Sequence, residues 1–184
     1  MRRVSSFWGK HWRTIVFFLV TLAVAVGDQL SKIWIRSNLA VGQSLPVAGL
    51  LRFVNVQNTG AAFGIFQNHT FPLTVVSFIG ASVILFYTFY VRRRYAFLNN
   101  GVSMAALGVV LGGTIGNLID RLSLGYVTDF ILVGTFPAFN VADSSITSGT
   151  SVFAGFLIYL LVKEKHEAGG ERIASPDDGG SPPA

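Results

Sequence analysis

The chain has 184 residues, of which 51% are hydrophobic and 12% charged, with a formal net charge of +5. A soluble domain carries about 25% charged residues, so the apolar excess points to a bilayer as the solvent. The absence of cysteine excludes disulfides, thiolate catalysis and Cys-ligated metals.

The three histidines, His11, His69 and His166, are scattered and fit no ligand motif. No metal or cofactor is expected, and no glycine-rich phosphate loop is present. A membrane-crossing helix needs roughly 20 mostly apolar residues. Four stretches qualify, at 14–35, 71–91, 101–119 and 144–162. Residues 1–165 therefore read as one integral membrane domain, and the Gly/Pro/Ser-rich stretch 166–184 as a disordered tail.

The first span opens like a secretory signal peptide. Arg2 and Arg3 precede the run TIVFFLVTLAVAV, and Ala23-Val24-Ala25 mimics a cleavage site. Hydrophobicity resumes past Asp28 to Ile35, however, and Trp12 and Trp34 flank the run as interfacial aromatics do, so it reads as a span. Asp28 and Lys32 lie four apart on it, acid first, the favourable order for an ion pair. Next, Leu51–Val56 is β-prone and Asn58-Thr59-Gly60 resembles a turn. This predicts a small strand-containing element at the membrane surface.

The second span starts with Pro72, tolerated in a first helical turn. The third carries Gly108, Gly112 and Gly116 at intervals of four, a stripe that lets another helix approach closely. Its far end runs into Asn117, Asp120 and Arg121. The fourth begins with Asp143, a candidate N-cap, followed by Ser144, Ser145, Thr147 and Ser148.

Charge sets the expected topology. Arg2, Arg3, Lys10 and Arg13 precede the first span, Arg92–Arg94 follow the second, and Lys163 and Lys165 follow the fourth. By the positive-inside rule both termini and the 92–100 loop are cytoplasmic. The basic residues are then a topology signal, and no nucleic-acid partner is expected. The outward loops and the outer ends of the spans bring Asp28, Lys32, Asn58, Asn117, Asp120, Arg121, Asp129, Asn140 and Asp143 to one level. Ionisable groups at membrane depth mark a functional site by default. The bland alternative makes Asp143 a cap and Asp120–Arg121 a local pair. Three chemistries stay open at this point: a carboxylate pair hydrolysing a peptide bond, a proton or cation relay in a small transporter, and a weakly supported Ser–Lys dyad of Ser144 or Ser145 with Lys32.

Five blocks in order, DQLSK (28–32), NTGAAFG (58–64), GGTIGNLIDR (112–121), GYVTDF (125–130) and FPAFNVADSSI (136–146), resemble lipoprotein signal peptidase, the signal peptidase II family of bacterial intramembrane aspartic proteases. The resemblance covers about residues 14–162. It implies an all-α membrane fold of four helices with a small β-cradle on the outer surface. It implies catalytic roles for Asp129 and Asp143. Asp120 becomes a supporting residue, and Asp28, Lys32, Asn58, Gly60, Asn117, Arg121 and Asn140 become orienting or substrate-contact residues. The implied substrate is a prolipoprotein, cut just before its diacylglyceryl-modified cysteine. The implied setting is the bacterial cytoplasmic membrane, with membrane lipid as a partner, the site near the outer face, and a monomer as the working unit.

Overall fold

The computed structural model describes residues 2–60, 70–91, 94 and 99–174. The end of the NTGAAFG block, His69, Arg92, Arg93 and residues 175–184 of the tail lie outside the described residues. Helix α1 spans Arg2–Asn38, and the short strand β1 (Ser44–Leu45) and β2 (Leu51–Asn58) follow it. Helix α2 (Thr70–Phe86) widens into a π-helical turn at Tyr87–Val91. Helix α3 (Gly101–Leu124), strand β3 (Val127–Val133) and helix α4 (Val141–Ala174) complete the described order.

Four segments are long and apolar enough to cross a membrane: His11–Asn38, Thr70–Val91, Gly101–Leu124 and Val141–His166. Each contains its predicted span and most run further, because caps and not hydropathy end a helix. Helix α3 continues to Gly125, which turns left-handed at φ 80° and returns its N–H to the Arg121 carbonyl at 3.2 Å. At its other end the Asn100 side chain accepts the Ser103 N–H at 2.8 Å. Helix α4 starts at Val141 and continues to Ala174, beyond the predicted start of the tail.

Helix α3 is the most buried span and the axis of the bundle. Lipid tails are as apolar as leucine, so membrane helices associate by close packing. The predicted glycine stripe meets α1. A Cβ at Gly108 would stand 2.7 Å from the Phe17 carbonyl oxygen, and one at Gly112 would stand 2.7 Å from that of Thr21. One at Gly116 would strike the Asp28 carboxylate. A second seam faces α4, where a Cβ at Gly113 would come within 2.5 Å of the Ala142 carbonyl oxygen. Phe17, Met104, Leu107 and Leu111 form the buried core between these seams, with Tyr87 and Phe153 packed on it.

The predicted small strand element is a three-stranded sheet. Strands β1, β2 and β3 form one antiparallel sheet in that order. Residues Val127–Val133, which include part of the GYVTDF block, form strand β3. A bulge between Phe53 and Val56 shifts the register, so that Val56 stands opposite Asp129 and Asn58 opposite Val127. Asn55 ties the sheet to the end of α1 by donating to the Leu39 carbonyl at 2.8 Å. Beyond β3 the chain doubles back, and Phe139 pairs with Ile131 through N–H···O bonds of 2.7 and 3.0 Å. That return places Asn140 beside Asp129.

Candidate active site

Asp129 lies on β3 and Asp143 in the first turn of α4, and both line one cavity of about 800 Å³. Asp129 is buried, and each of its oxygens accepts one amide hydrogen. Asn140 Nδ2 donates to Oδ1 at 2.7 Å and Asn58 Nδ2 to Oδ2 at 2.8 Å. Asn58 is two residues beyond Val56 on the same sheet face, hence a diagonal neighbour of Asp129. Its amide orientation is set by Gly60, whose N–H donates to Asn58 Oδ1 at 2.9 Å.

Asp143 is held in the same way. Asn117 Nδ2 donates to its Oδ1 at 2.8 Å, and the Asn140 N–H to its Oδ2 at 3.2 Å. The Asp143 N–H donates back to Asn140 Oδ1 at 2.9 Å. Asn140 is therefore the N-cap of α4 and Asp143 its third residue, a reciprocal capping box built from Asn and Asp. This corrects the reading of Asp143 as the cap. Phe139 is still strand-paired, so the extended backbone a cap requires falls at Asn140. Asn140 thus touches both carboxylates.

Burial pushes the Asp129 carboxyl up to about 7, and the nearby Asp143 charge adds to the rise. The amide donors Asn58 and Asn140 and the charge of Lys32 pull the other way and lose.

Behind the pair lies a buried ionic cluster. Lys32 is fully buried, with Nζ 2.8 Å from Asp28 Oδ2, 2.8 Å from Asn117 Oδ1 and 3.5 Å from Asp120 Oδ2. The predicted Asp28–Lys32 pair is present. Asp28 Oδ1 also accepts the Ala142 N–H at 2.9 Å, so α1 caps the start of α4. Asp120 accepts the Thr128 N–H at 2.9 Å and lies 3.6 Å from Arg36 Nη1. It clamps β3 to α3 one residue before Asp129. The local Asp120–Arg121 pair of the bland reading does not form. Asp120 turns toward α1, and Arg121 lines the cavity with Nη1 3.3 Å from Ser77 Oγ. Nor does a Ser–Lys dyad form among the described residues. Lys32 is committed to Asp28, Asn117 and Asp120, and Ser144 Oγ donates to the Asn140 carbonyl at 3.0 Å.

Three contributors escaped the sequence reading. Gln29 Nε2 donates to the Gly116 carbonyl at 2.9 Å and to Asp120 Oδ1 at 3.2 Å. Arg36 also donates to Thr128 Oγ1 at 2.9 Å. Arg36 could have been found, since it lies one turn beyond Lys32 on the same helix face. Thr128 gives no such signal. Among the described residues no cluster of His, Cys, Asp and Glu could hold a metal ion.

Fold and site define a multi-pass α-helical membrane protein with a carboxylate pair in a cavity at one end of its bundle. The sequence profile described as Signal peptidase (SPase) II matches residues 20–162, and the chain belongs to that family. It is 48% identical over 149 residues to a lipoprotein signal peptidase of Dehalococcoides mccartyi BAV1, covering 81% of this chain and 91% of that one. A lipoprotein signal peptidase of Moorella thermoacetica is 38% identical, over 77% of this chain and 92% of its own. A bacterial membrane enzyme solved by the in meso method at 2.3 Å superposes with a TM-score of 0.68 and 26% identity, covering 90% of this chain and 94% of that one. The chain is thus a membrane peptidase, and the transporter alternative has no support.

Proposed function

We propose that this chain removes signal peptides from prolipoproteins by cutting before the diacylglyceryl-modified cysteine, with Asp129 and Asp143 as an aspartic pair. The observation that carries the mechanism is the shared cavity. Two carboxyls from different elements face it, bridged by Asn140 and each held by two amide hydrogens. In such a pair one carboxyl keeps a proton and the other is ionised. Asp129, raised to about 7, holds the proton. Asp143, in the first turn of α4 where the helix dipole favours a negative charge, is the base. The pair titrates as a unit.

Hydrolysis then runs in two steps. Asp143 takes a proton from water as its oxygen attacks the scissile carbonyl carbon, and Asp129 gives its proton to the carbonyl oxygen. The resulting diol collapses as Asp143 passes its proton to the departing amine and Asp129 recovers one. The C–N bond breaks without a covalent enzyme intermediate.

The cavity lies at the end of the bundle opposite Arg13, Lys163 and Lys165, which supports a site near the outer face of the bacterial cytoplasmic membrane. A cysteine carrying two acyl chains would rest its scissile bond at that depth. The working unit in this reading is a monomer. The test is cleavage by purified protein, in detergent or lipid, of a prolipoprotein with and without the diacylglyceryl group. Turnover should be confined to the lipidated form. Comparable turnover of the unlipidated form would sink the lipid-anchor argument.

A further inference from the structure

Lys32 on α1 transfers no proton in this scheme, yet it stands one residue away from the transfer. Its ammonium is 2.8 Å from Asn117 Oδ1, and Asn117 Nδ2 is 2.8 Å from Asp143 Oδ1. A side-chain amide can be turned end for end, exchanging its acceptor for its donors. Turned over, Asn117 would set its NH2 against the ammonium and its oxygen against the Asp143 carboxylate, two donors facing on one side and two acceptors on the other. An ammonium is a donor only. Asn140 Nδ2 also reaches Asn117 Oδ1, at 3.2 Å, but it makes its shorter bond, 2.7 Å, to Asp129.

We propose that Lys32 is a positioning residue of the peptidase, acting through Asn117 to keep an N–H aimed at the Asp143 carboxylate. Together with the Asn140 N–H on the other oxygen, that bond fixes the rotation of the carboxylate that takes the water proton. The inference rests on the proposed role of Asp143 as the base. The competing role for Lys32 is an ion pair with Asp28 that holds the helices together.

Lys32→Met alone strands the buried Asp28 charge and is expected to destabilise the protein in either case. The decisive variant removes both charges. Asp28→Asn with Lys32→Met leaves the net charge of the cluster unchanged and leaves an oxygen at position 28 for the Ala142 N–H. Asp120 keeps Arg36, and the charges of Arg121, Asp129 and Asp143 are untouched.

The paired variant is expected to melt near the parent temperature yet lose roughly 10- to 100-fold in kcat from misorientation, with KM changed less than about 2-fold. In an Asn117→Ala background the same paired change is expected to cost under about 2-fold, because the relay is already cut. Cleavage by the paired variant at the parent rate, effects that multiply with Asn117→Ala, or failure of the paired variant to fold would each overturn the proposal. Asp143→Asn, assayed alongside, separates the two readings. Cleavage retained there removes the aspartic mechanism itself; cleavage lost there but retained in the paired variant removes only the role of Lys32.

Discussion

Asp129 and Asp143 differ in surroundings, and their chemistry follows from that. Asp→Asn at either position keeps shape and removes the acid–base function. Each variant is expected to fold and to lose at least the roughly 100-fold that general acid–base groups contribute, read as kcat on lipidated substrate. Near-parent cleavage by both would reject the pair. The pH profile has a definite sign. Burial and the Asp143 charge hold the proton on Asp129 up to about pH 7, so with Asp129 as the proposed proton donor, the donor is present below that pH and lost above it. The rate is expected to fall as pH rises through about 7, the value held by Asp129. An alkaline limb missing from kcat in a stable detergent preparation would assign the proton elsewhere.

At the scale of elements, the site depends on how β3 and α4 are fastened to the axial helix. Asp120 is almost fully buried and fastens β3 by the Thr128 N–H, with Lys32 and Arg36 as counter-charges. Asp120→Asn keeps an acceptor but leaves the cations under-paired. Its cost should be on the order of 3 kcal/mol, as for other broken buried pairs, read as a lowered melting temperature. Activity per folded molecule should fall far less than in Asp129→Asn. The glycine seam has the opposite weakness, since it fails by gaining atoms. A Cβ at Gly112 meets both the Thr21 carbonyl oxygen and Val24 Cβ at 2.7 Å, so α1 must move away. Gly112→Ala should cost about 1–3 kcal/mol through overpacking. An unchanged melting temperature would mean that the seam tolerates the shift.

For the whole molecule the charge pattern predicts an orientation in the bilayer. The chain contains no cysteine, so a single introduced one reports without background. Val133→Cys, exposed on the sheet, is expected to react with a membrane-impermeant maleimide from outside the cell. Glu164→Cys, exposed near the C-terminal end of the fourth span, should react only after permeabilisation. The reverse pattern would invert the topology and place the cavity in the cytoplasm.

What the sequence by itself determined is local or compositional. Hydropathy marked four spans because a helix that crosses a bilayer must be long and apolar. Spacing of four exposed the Asp28–Lys32 pair and the glycine stripe, since both are repeats along one helix face. Order and content of the motif blocks pointed to the family and to Asp129 and Asp143. Charge and spacing along the chain do not separate Asp129 from Asp120; only the motif resemblance does, and the tertiary structure gives the two different surroundings. The bulge between Phe53 and Val56 sets Val56 opposite Asp129 and brings Asn58 to its carboxyl, while Asp120 turns inward to hold the strand. Pairing of Phe139 with Ile131 decides that Asn140, and not Asp143, caps α4 and bridges the two carboxylates. These contacts join residues far apart in the chain through strand register and a reversed loop, and sequence periodicity records only which face of its own element a residue occupies.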